Sequence, residues 1–134
     1  MDKERVIEVA VNWWADKISN RHRHSNGDNS EASVRACLLA DIGYKVLTDE
    51  QIETFKRELT TLLTEEYEER FEKLHLTCTI DIGCDYGPCV MLDKAARIAG
   101  INVLNFPFKT YMSIAKDSVK VSDGYCEPYV KIGD

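Results

Sequence analysis

An α+β fold is the expectation for this sequence, and three observations predict it. Long N-terminal stretches carry apolar residues at helical spacing, the spacing changes to alternation at Leu76, and short strand-like runs then recur between turn residues. Helices first and mostly antiparallel strands afterwards place an N-terminal trio of helices on a C-terminal sheet that carries one further short helix. The 134 residues fit one domain, 1–134, large enough for a core without disulfide or metal staples.

The first helix spans about 3–19. Ile7, Ala10, Trp14 and Ile18 share one face with Val6, Val9 and Trp13 beside it, while Lys3, Glu4, Glu8, Asp16 and Lys17 lie mostly opposite. Adjacent tryptophans point about 100° apart on a helix, so Trp13 and Trp14 need not enter the same core. One anchors the core; the other is either a surface aromatic for a ligand or rests on a neighbouring helix. Residues 20–30 form a polar loop with its tightest turn at Asn26-Gly27. A second helix, about 30–43, is capped by Asn29 or Ser30, spaces Val34, Cys37, Leu38 and Ile42 for burial, and stops near Gly43. Thr48-Asp49-Glu50-Gln51 matches a capping box and opens the longest helix, about 49–74, with Ile52, Phe55, Leu59, Leu62, Leu63, Phe71 and Leu74 as its stripe.

From Leu76, the residues Leu76, Cys78, Ile80 and Ile82 share one side of a strand. A short helix follows over about 88–99. Pro88 suits its first turn, Gly100 its left-handed end, and Leu92, Ala95, Ala96 and Ala99 form its small-residue face. Strands are expected near 101–105, 110–115, 118–122 and 127–132, with turns at Lys116-Asp117 and Asp123-Gly124. The first of these makes a strand–helix–strand unit around 88–99.

With 44% hydrophobic and 30% charged residues, the composition is that of a soluble globular protein. No apolar run approaches bilayer length and the N-terminus lacks a signal-peptide core, so no membrane association and a cytoplasmic location, in the host cell, are expected. A net charge of −6 argues against direct binding of duplex DNA. Five cysteines, Cys37, Cys78, Cys84, Cys89 and Cys126, are an odd number best read as reduced thiols. Cys84 and Cys89 are not spaced as the usual close zinc pair, and His22, His24 and Asp28 lack a convincing further ligand. No metal and no cofactor is expected.

Three places could carry binding chemistry. Arg21 and Arg23, with the two histidines, form a basic cluster that either takes a phosphate or carboxylate or is a solvated loop. Glu65, Glu66, Glu68, Glu69 and Glu72 form a carboxylate row that either presents an acidic face to a basic groove or is simply solvated. In Asp85-Tyr86-Gly87-Pro88 and Phe106-Pro107-Phe108-Lys109-Thr110, Tyr86 could stack beside Gly87. The N–H groups at 88–90 offer an anion site there, and Lys109 or Arg97 supplies positive charge. The plainer reading starts a helix at Gly87-Pro88 and puts Phe106 and Phe108 in the core. No G-x-S-x-G, P-loop, H-E-x-x-H or Cys–His pair is present, so catalysis is not expected.

The layout WWADKI, SNGDNS, LTDEQIETFKREL, DYGP, FPFKTYMSI and SDGYCEP, over residues 6 to 130, resembles small uncharacterised proteins carried by phages and prophages of Gram-positive bacteria. The resemblance implies an anti-defence factor, one that occludes a CRISPR nuclease or sequesters a nucleotide signal. It assigns no functional residue. Two expectations follow. The leading one is a non-enzymatic inhibitor that meets a host defence protein through Glu65, Glu66, Glu68, Glu69 and Glu72. The alternative is a sponge for a phosphate-bearing nucleotide signal, using Tyr86, Gly87, Arg97, Lys109, Arg21, Arg23 and Trp13. A long helix and a spare tryptophan also leave room for a homo-oligomer.

Overall fold

A computed structural model of the chain describes residues 1–20, 31, 34, 35, 38, 44–124 and 126–133. Helix α1 is Lys3–Ser19, opened by Asp2, whose carboxylate accepts from the Arg5 N–H at 2.9 Å. Helix α2 is Asp49–Tyr67. Its capping box is complete: the Thr48 hydroxyl accepts from the Gln51 N–H at 3.1 Å, and Gln51 Oε1 accepts from the Thr48 N–H at 3.0 Å. Strand β1 (Ile80–Cys84), helix α3 (Val90–Ala99) and strands β2 (Thr110–Ile114), β3 (Val119–Asp123) and β4 (Val130–Ile132) follow.

The four strands form an antiparallel meander in the order β1-β2-β3-β4, with Ile82 opposite Met112 and Met112 opposite Val121. Alternation sends Ile80, Ile82, Cys84, Met112, Ile114, Val119 and Val121 into the core and Asp81, Tyr111, Ser113 and Lys120 to the other side. The inward set meets Val6, Ile7, Ala10, Trp14 and Ile18 of α1 and Phe55, Leu59, Leu63 and Tyr67 of α2 in one continuous cluster. Helix α2 lies between α1 and α3, against which Leu92, Ala95 and Ala96 close the core. The α+β architecture with helices first and an antiparallel sheet last is therefore as the hydrophobic periods predict.

Several local expectations change. Of the helix expected over 30–43, Glu31, Val34, Arg35 and Leu38 are helical. Val34 and Leu38, expected inside, are 49% and 58% exposed, because these four positions share one helical face and that face looks outward. Asn29, Ser30, Cys37, Ile42 and Gly43 lie outside the described residues, as do Arg21, His22, Arg23, His24, Asn26, Gly27 and Asp28 of the expected polar loop.

The helix expected to run to 74 is α-helical only to Tyr67, and Glu68–Lys73 widen into a π-helical turn. Leu74, 53% exposed, leaves the stripe that Tyr67 and Phe71 continue. Nor does the strand begin at Leu76. The Leu76 N–H returns to the Arg70 carbonyl at 2.8 Å, His75 takes a left-handed φ of 52°, and the Arg70 guanidinium holds the Thr79 carbonyl at 2.9 Å. These bonds wrap residues 74–79 around the helix end and leave Leu76 and Cys78 exposed, so β1 starts at Ile80.

Helix α3 starts at Val90, not 88, because Pro88 bridges back to Cys84 and the Cys89 N–H donates to the Gly83 carbonyl at 2.9 Å. Gly100 ends it in the left-handed region as expected, and the Ile101 N–H closes onto the Ala96 carbonyl at 2.8 Å. There is no strand over 101–105: Asn102 caps a short 3-10 turn at Val103–Asn105 by accepting from the Leu104 N–H. The expected strand–helix–strand unit is thus absent, and β1 pairs with β2 instead. The last strand is Val130–Ile132, shorter than the 127–132 expected, while the turn after Ile114 closes through the Ala115 N–H and the Ser118 carbonyl at 2.9 Å.

Candidate functional site

The carboxylate row lies where α2 loosens into its π-helical turn. Glu65, Glu68, Glu69 and Glu72, with Lys73, line an open groove of about 510 Å³. Residues three and four apart share a helical face, which is why this spacing gathers them. Glu66 does not join them: it binds the Arg70 guanidinium, which is also bound to the Thr79 carbonyl, so its task is to fasten the helix end. Lys3 reaches across from α1 to Glu72 at 2.9 Å and Glu68 at 3.5 Å, and Lys73 lies 3.5 Å from Glu69. The Glu72 carboxylate raises the Lys3 ammonium above its usual pKa, and Glu66 does the same for Arg70. With Glu66 and Arg70 paired elsewhere, two cations, Lys3 and Lys73, meet four carboxylates and leave the face net negative, and Glu65 is exposed without a cationic partner among the described residues.

The second cluster forms where the loop after β1 meets the start of β2. Lys109 has a left-handed φ of 51°, held because its N–H donates to the Asp85 carbonyl at 2.8 Å and its own carbonyl accepts from the Gly124 N–H at 3.2 Å. That backbone posture sends the ammonium onto the Asp85 carboxylate and over the Tyr86 ring, 4.7 Å from its centroid. Tyr86 also stands edge-on to buried Phe108 at 5.3 Å, and the Tyr111 hydroxyl donates to Asp85 Oδ1 at 3.2 Å.

Of the residues expected to gather around a nucleotide, the structure therefore brings Tyr86, Gly87 and Lys109 together, but commits Lys109 to Asp85. Arg97 is not among them. It pairs with Asp93 at 2.8 Å and sits about 10 Å of helix axis beyond Val90. The N-terminal anion site expected at 88–90 is also diminished, since Pro88 has no N–H and that of Cys89 is taken by Gly83. Trp14 is the buried tryptophan; half-buried Trp13 packs edge-on against it at 5.0 Å and carries the Lys17 ammonium over its face, on α1. Arg21 and Arg23 lie outside the described residues.

The Lys109 hydrogen bond, assisted by Tyr111, holds the Asp85 carboxyl below its usual pKa, and Asp85 in turn raises that of Lys109. A depressed carboxyl adds stability above its unfolded value, about 3.9, that disappears as pH falls through the folded value; a raised ammonium loses its contribution as pH rises through its own folded value. Both side chains touch solvent, so the effect is small. We expect the stability gap between wild type and Asp85→Asn, read from urea midpoints, to narrow from pH 6 to pH 3. An equal gap at both pH values would contradict the pairing.

Beside this cluster lies a cleft of about 350 Å³ on the outer side of the sheet, whose lining includes Asp81, Gly83, Asp85, Cys89, Tyr111 and Tyr129. Tyr111 and Tyr129 went unread in the sequence, although the alternation of TYMSI already sets Tyr111 opposite in sense to Met112. Cys84, fully buried, has its thiol pushed far up by burial and then by neighbouring Cys89, so it is a packing residue rather than a nucleophile. Among the described residues no group of three or more His, Cys, Asp and Glu side chains is placed to hold a metal ion, and no helix is long and apolar enough to cross a membrane. Comparison with protein-family models and with curated proteins finds no match.

Proposed function

We propose that this chain is a non-catalytic binding protein whose acidic groove engages a basic surface of a partner protein. In the phage setting that its layout resembles, the partner is a bacterial defence component such as a CRISPR nuclease, and engagement inhibits it. The observation that carries this reading is the gathering of Glu65, Glu68, Glu69 and Glu72 into one groove in a protein of net charge −6. A carboxylate face of this kind attracts a groove built for nucleic-acid phosphates, speeds encounter, and loses its pull as salt screens it.

The test is an interference assay against a panel of CRISPR nucleases, paired with binding measured across salt. Glu66 is left intact because it fastens the helix end. The variant Glu65→Gln, Glu68→Gln, Glu69→Gln, Glu72→Gln should weaken association by about tenfold or more and flatten its salt dependence. Undiminished inhibition by this variant would refute the acidic-groove reading.

A further inference from the structure

The outer face of the sheet carries a second set of groups, independent of the acidic groove. Lys120 and Lys131 are direct cross-strand partners on β3 and β4. Both are exposed, and among the described residues neither has a carboxylate within ion-pair reach. Like charges directly opposite one another destabilise a strand pair, and an anion bridging the two side chains would relieve that repulsion. Tyr129 precedes Lys131 by two residues, about 7 Å along an extended chain, and shares the cleft with Tyr111. The Tyr111 ring is braced from below, lying across Gly83, whose missing side chain leaves room for it. Asp85 in the same cleft is already neutralised by Lys109, whereas Asp81, bonded to the Thr79 hydroxyl at 2.9 Å, keeps an acceptor exposed there.

We propose that this face binds a phosphate-bearing nucleotide, its base between Tyr111 and Tyr129 and its phosphate on Lys120 and Lys131. The spacing of about 7 Å from Tyr129 to Lys131 is one that a single nucleotide spans from base to phosphate. Stacking on tyrosine serves any base, and the Asp81 carboxylate accepts from an amino group such as the N4 amine of cytosine. The overall negative charge does not forbid an anion here, since at physiological salt carboxylates more than about 8 Å away are largely screened. The sheet residues, not Arg97 or the start of α3, then supply the phosphate contacts.

Isothermal titration at physiological salt with cytidine monophosphate, cytidine, inorganic phosphate and a short single-stranded oligocytidine tests this. The monophosphate should bind, and cytidine and phosphate alone should each bind far more weakly. The double variant Lys120→Ala, Lys131→Ala should weaken the monophosphate by about tenfold to a hundredfold, the range of a charge-assisted contact, without lowering the melting temperature, because it removes a repulsion. Tyr129→Ala should weaken it about tenfold through lost stacking. The four-glutamine variant of the acidic groove should bind the nucleotide as wild type does, which separates this site from that one. No binding of the monophosphate at millimolar concentration overturns the proposal. So do binding that survives the double lysine change, cytidine binding as tight as its monophosphate, and binding of the oligonucleotide alone.

Discussion

Phe106→Ala should remove about 3–5 kcal/mol of stability, a large part of the 5–15 kcal/mol that holds a domain of this kind together. Phe106 is 1% exposed, and its ring lies 6.0 Å from that of Phe55 in α2 and 6.3 Å from that of Trp14 in α1. It therefore joins the two long helices through a residue that belongs to neither. Truncation forfeits the transfer free energy of the ring and leaves a void that three separate elements would have to collapse to fill. Urea unfolding followed by circular dichroism should show the midpoint falling with the slope unchanged. A loss below about 1 kcal/mol would mean that the site relaxes freely and that Phe106 does not join the helices.

Gly83→Val should be the other severe change, and for the opposite reason. A side-chain carbon at position 83 would stand 2.7 Å from the Thr110 carbonyl oxygen and 2.8 Å from Tyr111 Cδ1. The carbonyl belongs to the paired strand and cannot step aside without breaking the β1–β2 ladder, in which Gly83 faces Tyr111. Overpacking of this kind costs about 1–3 kcal/mol or more, and valine's branch adds to the conflict. It should also lift Tyr111 off its seat and so weaken the hydrogen bond to Asp85. Gly87→Ala is the comparison: a carbon there meets nothing within 4 Å, so thermal melting should leave it within about 1 kcal/mol of wild type. Equal melting temperatures for Gly83→Val and wild type would show that the strands do not approach as closely as described.

The elements whose signal is local were legible in the sequence. The apolar face of α1, the Thr48–Gln51 capping box and the left-handed Gly100 each depend on residues within one turn of each other, and each stands where its spacing predicts. What misled was pattern overruled by distant partners. The alternation from Leu76 to Ile82 satisfies a strand, yet the Arg70 guanidinium takes the Thr79 carbonyl and bends the first half of that run around the helix end. INVLNF is rich in strand-forming residues, but the Asn102 side chain supplies a turn's hydrogen bond where a ladder would have to. The candidate site residues divide in the same way. Glu65, Glu68, Glu69 and Glu72 were readable because neighbours in sequence are neighbours on a helix face. Lys109 and Arg97 were not, because nothing short of the fold reveals that one is spoken for by Asp85 and the other lies at the far end of α3.

Buried Asn105 draws together parts of the chain that are far apart in sequence. Its amide donates to the Ile18 carbonyl at 3.2 Å and the Lys45 carbonyl at 2.7 Å, while its oxygen accepts from the Lys45 N–H at 3.1 Å. The Tyr44 hydroxyl adds a bond to the Ser19 carbonyl at 3.0 Å. The chain thus departs from α1 and returns toward α2 through a single clasp. Closure entropy grows only with the logarithm of length, about 0.6 kcal/mol for each doubling. By joining Ile18 and Lys45 on one side chain, Asn105 closes a loop of the chain at a cost that varies little with the loop's length, and so fixes where α1 ends relative to the approach to α2.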